Sequence, residues 1–311
     1  MAPPPDTAPK AKAISREKNR EARLARERQL SLAVCLKRVP PSVGALSDPL
    51  KGYVLRTGPG RLNPPDAAAL ELALRLKDEF GARVDLFSMG PSQAEEVLRE
   101  ALSLGADRAF HLCDPLLAGS DSLATARALV RALDLEGPHD LILCGPVTTD
   151  GGTGQVGPAM AALMDFPFLG RVWELLSLED RLLRVRQLYR DELLETKLTL
   201  PCVISVLGEK FVPRLPSVRA RLRPRLVNRL TLEDLTREAP KKGPGPKGPS
   251  PKGPNLKGAK LPGPADYFGE SGSPTKILKS HKPKGPDKVL ARPTPAAAAQ
   301  VIIDAAKKAK T

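Results

Sequence analysis

The sequence predicts an α/β fold: a three-layer sandwich with a central, mostly parallel sheet and an antiparallel excursion. Three observations predict it. The apolar runs Leu30 to Val39 (LSLAVCLKRV), Leu141 to Cys144 (LILC) and Pro201 to Leu207 (PCVISVL) are continuous rather than alternating, as strands buried on both faces are. Segments of helical period separate such runs, which is the pattern of β-α-β units. A glycine cluster from Gly145 to Gly157 joins one strand to one helix, and ligands of parallel sheets bind beyond the carboxyl ends of strands.

The elements follow in order. Leu30 to Val39 reads as a central strand. After a Pro- and Gly-rich loop, Asn63-Pro64-Pro65-Asp66 starts a helix, because a residue before proline is pushed out of helical conformation and Asp66 can cap. Ala69, Leu70, Ala73, Leu74 and Leu76 give that helix one apolar face. Arg83 to Met89 is a second strand closed by Gly90-Pro91, Gln93 to Leu104 a helix, Ala109 to Cys113 a strand, and Ser122 to Leu133 a helix. Beyond Phe168, Val172 to Leu178, Leu182 to Leu188 and Leu193 to Leu200 are strand-like and joined by charged turns. They read as an antiparallel excursion that returns to the sheet at Pro201 to Leu207. Gly208 to Arg229 reads as irregular and basic, either a solvated loop or a docking surface for an acidic partner.

Composition bounds the function. The chain has 311 residues, 41% of them hydrophobic, enough for a real core; a 4% aromatic content argues against stacking platforms for nucleic acid. The net charge of +14 is concentrated in the two tails. Residues 1–29 read as a basic, disordered extension, 30–237 as the folded domain, 238–270 as a disordered Lys/Gly/Pro-rich linker, and 271–311 as an arm ending in an alanine-rich helix. No apolar run approaches a membrane span, and the N-terminal segment carries Glu17, Glu21 and Glu27, unlike a secretory or transit signal. A cytoplasmic bacterial protein without membrane insertion is expected. Cys35, Cys113, Cys144 and Cys202 lie in or beside apolar runs without metal-ligand spacing and read as buried thiols.

The glycine stretch carries the chemistry. Glycines let backbone approach a ligand closely, and the N–H groups at a helix start favour phosphate; Pro158 suits a first helical turn. The alternative is a plain strand-to-helix turn. Gly152, Gly154 and Gly157 match G-x-G-x-x-G, but several β-α units precede them. No Lys-Ser/Thr follows, so a hydrolysing P-loop is excluded. No Ser–His–Asp set, paired catalytic carboxylates or metal cluster is found, which suits a carrier rather than an enzyme.

With these landmarks in place, residues Leu30 to Leu235 resemble the beta (small) subunit of electron transfer flavoprotein, the FixA-like family. The matching residues are Val34 to Val39; Asn63-Pro64 with Asp66 and Ala69-Leu70-Glu71; Ser88-Met89-Gly90-Pro91; Gly105-Ala106-Asp107-Arg108; and Asp150 to Pro158 (DGGTGQVGP). The resemblance implies an adenine-nucleotide-binding, HUP-like fold with an extended C-terminal arm, and an electron-carrier subunit, not an enzyme. It implies FAD shared with an alpha subunit, and AMP or a second FAD in the beta subunit. Implied partners are that alpha subunit, flavin dehydrogenases as donors and a quinone oxidoreductase as acceptor, with no nucleic acid. Carried over by motif, nucleotide contacts fall on Cys35, on Asn63, Pro64, Pro65 and Asp66, and on Met89. In the loop they fall on Asp150, Gly151, Gly152, Thr153, Gly154, Gln155, Val156, Gly157 and Pro158, and in the helix on Ala159, Met160 and Ala161.

Partner docking is carried to Arg214, Val218, Arg219 and Arg221. Two stretches depart from the family: Gln187 to Glu192 lacks its Glu and acidic-Gly-Gly turn, and Phe211 to Val218 replaces its Asn-Glu-Pro-Arg-Tyr-like run. Two other classes remain: a nucleotide-sensing module without redox function, and a basic nucleic-acid binder using both tails.

Overall fold

The computed structural model describes residues 29–41, 59–222 and 225–237. The expected N-terminal extension (except its last residue), Lys/Gly/Pro-rich linker and terminal arm lie outside the described residues. In chain order the elements are β1 (Ser31–Cys35), β2 (Arg38–Val39), β3 (Arg61–Leu62), α1 (Pro64–Phe80), β4 (Arg83–Met89), α2 (Glu95–Leu104), β5 (Arg108–Leu112), α3 (Ser122–Glu136), β6 (Leu141–Cys144) and α4 (Val156–Met164). After them come β7 (Phe168–Glu179), β8 (Leu182–Tyr189), β9 (Glu192–Thr199), β10 (Cys202–Val206), α5 (Val218–Leu222), β11 (Asn228–Leu230) and α6 (Leu232–Thr236). Among the described residues nine strands form one sheet, in the order β11-β5-β4-β1-β6-β10-β7-β8-β9. β11 through β7 pair in parallel, and β7-β8-β9 are antiparallel.

The continuous apolar runs have the expected cause. Successive strand residues face opposite sides of a sheet. Leu32 and Val34 of β1, Leu141 and Leu143 of β6, and Cys202 and Ile204 of β10 join one core with α1 and α2. Ala33, Cys35, Ile142, Cys144 and Val203 join the other with α3, α4 and Leu235 of α6. Both faces are covered, so both sets of side chains must be apolar. The structure is therefore the three-layer α/β sandwich expected.

Three local expectations are corrected. The run Leu30 to Val39 is not one strand. β1 ends at Cys35, because the Lys37 N–H is captured at 2.8 Å by the Asp66 carboxylate, and Arg38–Val39 turn into a separate antiparallel ribbon with Arg61–Leu62. Asp66 is not the cap of α1. Asn63 occupies that position in an extended conformation (φ −56, ψ 122), as a residue before proline should, and supplies no side-chain cap. The stretch Gly208 to Arg229 is not wholly irregular: it contains α5 and the start of β11, whose three residues add an edge strand beside β5.

The antiparallel excursion returns as expected. β7 pairs with β10 on one side, at Phe168, Leu169 and Val172, and with β8 on the other from Val172 to Glu179; its register with β10 shifts between Ile204 and Val206. Arg171 takes a left-handed conformation (φ 57), with its N–H held by Ser205 Oγ at 3.0 Å.

Candidate nucleotide site

At the carboxyl edge of the sheet, the ends of β1 and β6 meet the head of α1. Asn63 is fully buried. Its Nδ2 donates to the Val147 carbonyl at 3.0 Å, and its Oδ1 accepts from Thr149 N at 3.2 Å. Asp66 accepts from Lys37 N at 2.8 Å and Gly145 N at 3.0 Å. These two side chains point at backbone and fix where the loop leaves β6. A Cβ at Gly145 would lie 2.5 Å from Asp66 Oδ1, so glycine is required there by close approach.

The loop then turns twice through left-handed backbone, at Gly152 (φ 64) and Gly154 (φ 63). Gly152 N donates to Thr148 O at 2.9 Å. Asp150 anchors the loop: its Oδ1 receives Lys37 Nζ at 2.7 Å and Gly151 N at 2.7 Å, and its side chain is fully buried. Thr153 Oγ1 meets Ser122 Oγ at 3.1 Å, so the head of α3 also touches the loop. α4 begins at Val156. Gln155 precedes it without a side-chain cap, and Pro158 lies in the first turn. Residues 151–153 and 155 are exposed. The first N–H groups of a helix have no intrahelical partner, and the helix dipole favours an anion beside them. These residues fit a phosphate.

The floor is apolar and sulfur-rich. Cys35 Sγ lies 3.9 Å from Met160 Sδ, and Cys144 Sγ lies 3.7 Å from Ile204 O. Met89, half-buried at the end of β4, packs on the same cluster as Met160 and Ala161. A Cβ at Gly157 would lie 2.9 Å from Cys144 Sγ and 3.3 Å from Phe168, so this glycine serves helix–strand packing. Burial, aided by the Asp66 charge, pushes the Cys35 thiol up to about 12, and burial raises Cys144 as well. Such thiols are inert packing groups. Burial also pushes the Asp66 carboxyl up to about 7, against bonds from Asn63, Lys37 and Gly145 that pull it down.

The structure thus brings Cys35, Asn63, Pro64, Pro65, Asp66 and the segment 150–161 to one edge, with Met89 beside its floor. Lys37, Gly145, Thr148, Thr149 and Ser122 belong to the same constellation but were not among the residues expected to hold nucleotide. The basic end of the run LSLAVCLKRV was the signal for Lys37; Ser122 left none.

The expected docking residues divide. Arg214 is engaged internally: its Nε lies 2.9 Å from Glu71 Oε2 and its Nη1 2.8 Å from Asp78 Oδ2, on α1. Val218, Arg219 and Arg221 are exposed on α5, between Leu215 (91% exposed) and Leu222 (79%). Among the described residues no cluster of three or more His, Cys, Asp or Glu could hold a metal, and no helix is long and apolar enough to cross a membrane.

Residues 52–234 match a family described as the electron transfer flavoprotein domain. The chain is 33% identical over 278 residues to an electron transfer flavoprotein subunit beta of Clostridium acetobutylicum, covering 88% of this chain and 96% of that protein. It is 42% identical over 182 residues to a FixA protein of Azotobacter vinelandii (56% and 64%). Over 191 residues it is 38% identical to a protein of Acetobacterium woodii named as the CarD subunit of a caffeyl-CoA reductase–Etf complex (61% and 72%).

Proposed function

This chain belongs to the electron transfer flavoprotein family, on the side of its beta subunits and FixA proteins, and from that premise we propose that it holds an adenine nucleotide in its glycine loop while bracing a flavin shared with an alpha subunit. Its role is that of an electron-transfer subunit rather than an enzyme. In this reading the nucleotide is AMP and the complex is a cytoplasmic heterodimer. Flavin dehydrogenases are its donors, and a quinone oxidoreductase or another acceptor receives the electrons.

FAD supplies the electron chemistry when bound. The chain's own residues do the holding. Asn63 and Asp66 set the strand-to-loop junction, Lys37 and Asp150 pin the loop, and the start of α4 offers N–H groups to phosphate. The apolar floor of Cys35, Cys144 and Met160 keeps water from beneath the site. The exposed segment from Leu215 to Leu222 presents apolar side chains among arginines, a surface suited to an acidic partner. Residues 30–237 carry these functions, with the extension 1–29, the linker 238–270 and the arm 271–311 outside them.

The single observation that supports nucleotide binding is the pairing of left-handed Gly152 and Gly154 with a helix start that lacks a side-chain cap. The family resemblance carries a second reading, in which another FAD takes the place of AMP. Co-purification with the alpha partner, followed by counting flavin and AMP, separates the two. One FAD and one AMP per heterodimer is expected; two FAD would select the second reading. In Gly154→Asp, a Cβ 3.1 Å from Pro146 O and a carboxylate at the cradle should empty the beta site while the partner stays bound. Unchanged nucleotide content in that variant would overturn the assignment.

A further inference from the structure

Asp66 joins three elements through one carboxylate. It is 4% exposed, and each of its oxygens accepts one backbone N–H, from Lys37 where the chain leaves β1 and from Gly145 just past β6. The fit is tight enough that a Cβ at position 145 would strike Oδ1 at 2.5 Å and Pro65 Cβ at 2.7 Å. From Lys37 the tie continues into the loop, through Nζ to Asp150 at 2.7 Å. The charged and titratable groups around Asp66 are the Lys37 ammonium and the Cys35 and Cys144 thiols, with Asp150 behind Lys37.

We propose that Asp66 is the positioning residue of the loop, and that its ionised carboxylate sets the backbone shape that accepts the nucleotide's phosphate. This rests on the nucleotide-binding reading above. An ionised carboxylate only accepts hydrogen bonds; protonation adds a donor to a site already facing two N–H groups. Burial raises this carboxyl to about 7, so the brace weakens within an accessible pH range. The sign follows: the ionised, loop-setting form gains as pH rises through that value and is lost as pH falls. If only the ionised form binds, the competent fraction drops from roughly ten-elevenths one pH unit above it to roughly one-eleventh one unit below, and apparent affinity falls about tenfold.

The test is calorimetric titration of the nucleotide-stripped complex of the full chain and its alpha partner, between about pH 6 and pH 8. AMP is one probe; its methyl phosphate ester, whose charge is constant over this window, is the other. Wild type should lose about tenfold in affinity for the ester from the upper to the lower pH. Asp66→Asn, which turns an N–H donor toward an N–H donor and can never ionise, should bind more than about tenfold more weakly at the upper pH, with a flat profile. A merely structural residue would lower affinity without removing the profile. An Asp66→Asn variant with wild-type affinity and profile overturns the positioning role and leaves the nucleotide reading intact. Should that variant fail to fold, a flat wild-type profile with the ester overturns it as well. Absence of AMP binding to wild type at every pH overturns both.

Discussion

Replacing Asp85 by asparagine removes the one buried charge that gathers the far edge of the sheet, opposite the loop. Asp85 is fully buried on β4. Arg108 on β5 grips it with two bonds, of 2.9 and 2.7 Å; His139 Nε2 lies at 3.1 Å and Arg83 Nε at 3.2 Å. Burial raises the carboxyl, but the Arg108 and His139 bonds and the Arg83 charge outweigh it and hold the group at about 2, against an ordinary 3.8. At about 1.4 kcal/mol per pH unit, that gap stabilises the ionised fold by about 2–3 kcal/mol. A depressed carboxyl contributes this fully above its unfolded value of 3.8 and loses it as pH falls through about 2. Truncating one partner of a buried ion pair costs about 3–5 kcal/mol, but Arg108 is partly solvated, so about 2–3 kcal/mol is expected for Asp85→Asn. Urea unfolding of both proteins should show that gap near pH 7 and its narrowing toward about pH 2, with nucleotide affinity unchanged. A gap under about 1 kcal/mol near neutrality, or one that persists in acid, would refute the reasoning.

Three other outcomes are expected. Gly157→Ala drives a methyl to 2.9 Å from Cys144 Sγ and should cost about 1–3 kcal/mol in thermal or urea unfolding by prising α4 from β6. Arg214→Ala strips the nearly buried Glu71 of one of its two arginines, Arg75 remaining, and should lower stability by about 1–3 kcal/mol. Arg219→Glu with Arg221→Glu changes only exposed side chains; it should leave unfolding within about 0.5 kcal/mol of wild type while slowing electron transfer from a flavin dehydrogenase. The deficit in rate should shrink as salt is raised, which stopped-flow kinetics at two ionic strengths would read.

The order and type of most elements were legible because burial on two faces writes an uninterrupted apolar run, as in LILC, and burial on one helical face writes a period. The errors lie where a distant group intervenes. Nothing in LSLAVCLKRV announces that its seventh and eighth residues stop the strand, because the carboxylate that captures the Lys37 N–H stands 29 residues away. β11 is three residues long, too short to carry a period, and exists because β5 presents an open edge to it. The arginine-rich stretch read as irregular, either a solvated loop or a docking surface. In the fold Phe211 is buried and Arg214 folds back onto α1, while Val212, Leu215, Val218 and Leu222 project.

Sequence by itself determined the layered sheet, the antiparallel detour and the glycine turn that opens a helix, because each is written in residues close together along the chain. Tertiary structure decided what those residues do. Asp66 became a brace because β6 delivers Gly145 to it across 79 positions, and Arg214 a clasp because Glu71 waits 143 positions earlier. Local pattern fixes which face a side chain presents; the order of strands in the sheet fixes what that face meets.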